Sequence, residues 1–155
     1  MGLIGVIVGA VLRPVVQDRL SRKADSDRHQ RTMINAWLEM TRKKWAFHLA
    51  TVQLIGKGKP VDTAATDSIG ALNNWMQSEP DVTKYPWEPD RVRNTTLRTL
   101  FHQLSAEMAG LLNLTLEASK GAVSSPSYKE QVMDGIKRAE ELRNEIVREM
   151  PAAGL

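Results

Sequence analysis

The chain opens on twelve uncharged residues, Met1 to Leu12, interrupted by Arg13 and Pro14 and resumed by Val15 and Val16 before Gln17, Asp18 and Arg19. From about Asp25 to Ile55 the pattern takes a 3.6-residue period: Ile34, Trp37, Leu38, Trp45, Leu49, Val52 and Ile55 share one arc of a helix. Ala36, Met40, Phe47 and Leu54 form a second arc about 200° around. A helix apolar on two sides is the central member of a bundle or touches a second subunit, because a surface helix needs one stripe only. Gly56-Lys57-Gly58-Lys59-Pro60 stops it with glycine followed by proline.

A shorter helix is expected from Thr63 or Thr66 to Ser78, with Ala65, Ile69, Leu72 and Trp75 or Met76 turned inward. The stretch from Glu79 to Pro89 holds three prolines and reads as irregular. Its Tyr85 and Trp87 are either a partner-binding surface or aromatics folded back over the end of the bundle. Asp90 is the expected N-cap of a long helix to about Ala118, striped by Leu97, Leu100, Phe101, Leu104, Met108, Leu111 and Leu112. The other side of that helix is small and polar (Thr95, Thr99, Ala106, Ala109, Gly110, Asn113), which suggests close approach of another helix there too. Ser125-Pro126 reads as N-cap and first residue of a final amphipathic helix ending at Pro151. The sequons at Asn94 and Asn113 fall within the expected helix and are taken as fortuitous.

No alternating run long enough for a strand occurs, and no repeat recurs at domain scale. The expected fold is all-α: a bundle of about four helices preceded by a short apolar N-terminal helix. The layout is an apolar helix over 1–20, a basic stalk over 21–32, the bundle over 33–150 and a tail over 151–155. In layout the chain is similar to small bacterial proteins with a short apolar start, an arginine-rich stalk and a helical body. That likeness rests on no motif and carries no function with it.

The N-terminal run changes meaning with its surroundings. Gly2, Gly5 and Gly9 weaken a soluble helix by roughly 1 kcal/mol each. In lipid, the Gly5 and Gly9 spacing is a G-x-x-x-G face suited to helix association. Twelve residues reach only about 18 Å, against about 30 Å of hydrocarbon. A span through Leu20 would therefore carry Arg13 inside it, snorkelling or lining a polar cavity. Arg19, Arg22, Lys23, Arg28 and Arg31 follow directly, and the positive-inside rule keeps the remaining chain cytoplasmic. Neither a cleaved signal nor a myristoylation pattern fits, since no cation precedes the run and Val6 stands where the acceptor pattern wants Ser or Thr.

Charge sharpens that reading. Residues 1–59 carry 11 Lys and Arg against 4 Asp and Glu, whereas residues 60–155 carry 10 against 14. The basic half points to an anionic surface, for which Arg13, Arg19, Arg22, Lys23, Arg28 and Arg31 are the candidate contacts. Arg42, Lys43 and Lys44 spread over about 200° of their helix and read as a solvated band, so nucleic acid is a minor alternative.

Chemistry is otherwise sparse. The chain has no cysteine, which excludes disulfides, thiolate metal sites and a cysteine nucleophile. Asp25, Asp27 and His29 have ligand chemistry, but steps of two residues on a helix point them apart. His48 lies on the first apolar arc, where a polar neighbour would satisfy it; Glu107 is the one carboxylate that suggests a catalytic pairing. His102 falls on the small polar face. With no phosphate loop, nucleophile elbow or Glu-x-x-His pair, the chain reads as non-enzymatic, with no catalytic, cofactor-binding or metal residue assigned and no small-molecule substrate evident. The expected function is membrane attachment and self-assembly, with membrane lipid, copies of the chain or a helical protein as partners and membrane perturbation as its sharpest form. The alternative is a soluble cytoplasmic subunit whose apolar N-terminus is buried in a partner.

Overall fold

The computed structural model describes the backbone of residues 3–155 and the side chains of residues 16–155. The chain is all-α, and four main helices pack as a bundle: α1 (Leu3–Gly56), α2 (Val61–Ser78), α4 (Thr95–Ser119) and α5 (Ser125–Glu149). A short helix, α3 (Pro80–Lys84), and a 3₁₀ turn (Pro89–Arg91) join α2 to α4. Around the bundle α1 touches α2, α2 touches α4, α4 touches α5 and α5 returns to α1.

The apolar start, the basic stretch and the first bundle helix are one element. At 1.5 Å per residue, its 54 residues extend about 80 Å. The side chains of residues 16–26 are all exposed, and α1 first enters the body at Asp27 and Gln30. Gln30 is buried inside the stretch that composition reads as stalk. Its amide donates to Arg91 O (2.9 Å) and its Oε1 accepts from Arg93 N (3.3 Å), while Asp27 pairs with Arg93 (2.6 Å). The polar composition there thus reflects docking against backbone as well as solvation. Among the described residues no helix is long and apolar enough to cross a membrane.

The two apolar arcs of α1 meet α2 on one side and α4 with α5 on the other, so a single chain covers both. Ile34 and Trp37 are fully buried, and Phe47 packs on Trp75 of α2 with ring centroids 5.8 Å apart. The second expectation of this kind fails. Thr95, Thr99, Ala106, Ala109, Gly110 and Asn113 of α4 are all exposed, and the close approach to α5 is made instead at Gly135. A Cβ there would stand 2.7 Å from a Leu111 methyl.

Helix starts also differ from expectation. Asn94, not Asp90, caps α4 by accepting from Leu97 N at 2.9 Å, and Asp90 sits in the 3₁₀ turn against His102 (3.0 Å). Both Asp90 and Asn94 have a side-chain oxygen suited to an N-cap; the turn that Pro89 initiates decides which one meets a free amide. Ser124 rather than Ser125 precedes α5. The proline stretch is not wholly irregular, because Pro80 opens a turn of helix whose first amides need no partner. The C-terminal residues turn back at Gly154 (φ 76°) and bury Leu155 against the core.

Candidate functional site

The side chains that the α2–α4 connection turns inward build one wall of a cavity. Trp87 packs between Trp37 of α1 and Phe101 of α4, with centroids 5.2 and 5.7 Å away, and donates its Nε1–H to Ser105 Oγ at 2.6 Å. Trp37 in turn donates to Tyr85 O at 3.0 Å. The aromatics of this connection therefore fold back over the bundle, with Tyr85 and Trp87 half buried. Their packing leaves a space of about 480 Å³ between α1, α2, α4 and the connection.

Four residues of α1 face this space: Met40, Thr41, Lys44 and His48. Thr41, Lys44 and His48 are spaced three and four apart, which aligns them on one face. Leu72 and Met76 of α2 and Met108 and Leu112 of α4 complete an apolar lining, and exposed Met76 and Leu112 flank its mouth.

The cations of the Arg42-Lys43-Lys44 run do not form one solvated band. Arg42 is exposed, and Lys43 reaches Glu79 at 2.9 Å, which raises the lysine pKa and lowers the glutamate's. Lys44 instead faces the cavity, and among the described residues no carboxylate lies within ion-pair distance of it. Burial lowers its pKa below the ordinary lysine value.

Behind the cavity lies a buried polar layer. His48 Nδ1 is 3.0 Å from Thr115 Oγ1, which is 2.9 Å from the Tyr128 hydroxyl. Thr115 has one proton, and its back-bond to Leu111 O (3.0 Å) uses it. Its oxygen then accepts from both Nδ1–H of His48 and the Tyr128 phenol. This count assigns the neutral Nδ1–H tautomer to His48 and leaves Nε2 an acceptor. Burial pushes the His48 pKa down to about 4 and raises that of Tyr128. Glu107 is not part of this group; it pairs with Arg138 of α5 at 3.1 Å. The expected polar neighbour of His48 is thus a threonine, and no acid–base pair forms with Glu107.

The candidate anionic-surface residues are distributed along α1. Arg19, Arg22, Lys23, Arg28 and Arg31 are all exposed, with Arg22 joined to Asp18 at 2.8 Å. Gly5, Gly9 and Arg13 lie outside the residues whose side chains are described. Of the acids and histidine at 25–29, Asp27 is committed to Arg93, while Asp25 and His29 are exposed.

Comparison with protein-family models, curated proteins and solved structures finds no match to this chain. The cavity escaped the sequence because its walls come from four segments and from a loop whose inward turn no local pattern encodes. One signal was present: Lys44 sits on the three-and-four seam of Trp37, Thr41, His48 and Thr51, where a solvated lysine is out of place.

Proposed function

We propose that this is a non-enzymatic, membrane-attached helical protein that acts by assembly. In this reading the apolar start of α1 enters the bilayer and associates through Gly5 and Gly9. Arg19, Arg22 and Lys23 lie at the anionic headgroups, and the bundle is presented to a partner on the cytoplasmic side.

The observation that carries the reading is the continuity of α1. One helix runs from Leu3 through exposed residues 16–26 into the bundle core. At 1.5 Å per residue, the stretch from Leu3 to Ser26 is about 36 Å long. A helix held rigidly at one end by the core and apolar at the other transmits the position of an attached end to the body. The exposure of Val16 (51%) and Leu20 (61%), one turn apart, favours a second reading in which a protein partner covers this part of α1.

Fractionation of the full-length chain separates the two. Under the membrane reading it remains in the carbonate-washed pellet and leaves it in mild detergent as a defined oligomer, whereas removal of Met1 to Leu12 yields a folded soluble body. A full-length chain that is soluble from the outset overturns the membrane reading in favour of a covering protein. Dye leakage from anionic liposomes tests the sharper membrane-perturbing form, which fails if the inserted oligomer leaves the vesicles sealed.

A further inference from the structure

We propose that the cavity between α1, α2, α4 and the Tyr85–Trp87 segment binds an amphipathic monocarboxylate of the fatty-acid type, its head on Lys44 Nζ and its chain along the methionine-rich wall. This site does not depend on how α1 attaches to a membrane.

The volume, about 480 Å³, lies within the range of roughly 300–1,000 Å³ typical of small-molecule sites. The chemistry of the lining narrows the ligand further. Thr41 uses its hydroxyl proton on Trp37 O (2.9 Å), and Ser105 gives its own to Phe101 O (2.8 Å) while accepting from Trp87. His48 uses its Nδ1–H on Thr115. The side-chain donors left for a guest are the Lys44 ammonium and the Tyr85 phenol, for which no partner is found among the described residues. A nucleotide or sugar would bring many polar atoms to a lining that has few partners to offer, and leave them unpaired. A single anionic head with an apolar remainder matches the inventory.

One cation also sets the charge of the head. A phosphate monoester brings up to about two charges and three strong acceptor oxygens, more than one lysine neutralises. A carboxylate brings one charge, and its arrival restores the counterion that Lys44 lacks. The desolvation that lowers the lysine pKa is the cost that such a counterion offsets. The remaining walls suit a flexible chain, because Met40, Met76 and Met108 are unbranched and adapt to an irregular guest. Exposed Met76 and Leu112 at the mouth provide an apolar path of entry.

The test uses the delipidated full-length chain titrated with dodecanoate, dodecanol and dodecyltrimethylammonium below their micellar concentrations, followed by calorimetry and tryptophan emission. Dodecanoate is expected to bind saturably at one per chain, at least tenfold tighter than the alcohol, with the cation weakest. Lys44→Met should abolish the preference for acid over alcohol while the apolar chain still binds, and Lys43→Met should leave both affinities unchanged. Ala109→Phe fills the lining from an exposed position and should remove binding of acid and alcohol together, at unchanged helicity by circular dichroism. Equal affinity of wild type for acid and alcohol, retention of the preference in Lys44→Met, or undiminished binding in Ala109→Phe would each overturn the proposal. The last of these would relocate the ligand to the apolar face of α1.

Discussion

Lys44 and His48 stand one turn apart on α1, and burial acts on both by disfavouring the charged form. For His48 this has a direct consequence for stability. Its folded pKa, about 4, lies below the ordinary value of 6.5, so between these limits the unfolded chain binds the extra proton. The stability contributed by the neutral ring is complete above pH 6.5, declines as the pH falls, and is lost once the folded-state pKa is passed. The shift corresponds to roughly 3 kcal/mol over that window. Lys44 is the neighbouring charged group on α1, Thr115 of α4 meets the ring as a neutral hydroxyl, and the Tyr128 hydroxyl of α5 contacts that threonine. Denaturant titrations at a series of pH values should show this slope in wild type and a shallower one in His48→Gln. Trp87 ties the inward-turned connection to α1 and α4. Its removal in Trp87→Ala takes a half-buried indole from two aromatic neighbours and leaves Ser105 without a donor, at an expected cost of about 3 kcal/mol in the same titrations.

Among the elements, α5 follows its sequence most directly. One face carries Tyr128, Val132, Ile136, Ala139 and Ile146 into the core, as the apolar period requires. Helix α4 follows it only half way. Leu97, Leu100, Phe101, Leu104 and Leu111 of its stripe are buried as expected, but Leu112 is exposed and the small residues opposite face outward. Small side chains permit close packing without requiring it, and the neighbours of α4 are already accommodated on its leucine side. The close contact belongs to Gly135, a position of α5 that the apolar period leaves unmarked. Gly135→Ala gains up to about 1 kcal/mol of helix propensity but meets overpacking of about 1–3 kcal/mol against Leu111. The expected net is a destabilisation of about 1 kcal/mol. A double-mutant cycle checks the mechanism, because the penalty should disappear in a Leu111→Ala background.

For the molecule as a whole, the division between rod and body comes from contacts and not from composition. Residues 16–26 are exposed, while Asp27 and Gln30 bind the segment around Arg91 and Arg93. A chain lacking residues 1–24 should therefore melt within a few degrees of the full-length protein, and one lacking residues 1–31 should melt well below it, as followed by circular dichroism. The all-α class, the amphipathic faces, the ends of α1 and α2 and the apolar, basic character of the N-terminal half were legible because each is written in local spacing or local composition. Other features required distant segments to meet. The continuity of α1 was obscured by a change in composition along one helix. The cap at Asn94 depends on where the preceding 3₁₀ turn releases the chain, and the bond between His48 and Thr115 depends on how α1 packs against α4. Lys44 borders a cavity because Trp87 folds inward, some forty residues further along the chain. Periodicity tells a residue which face it occupies; what stands opposite that face is a property of the packed whole.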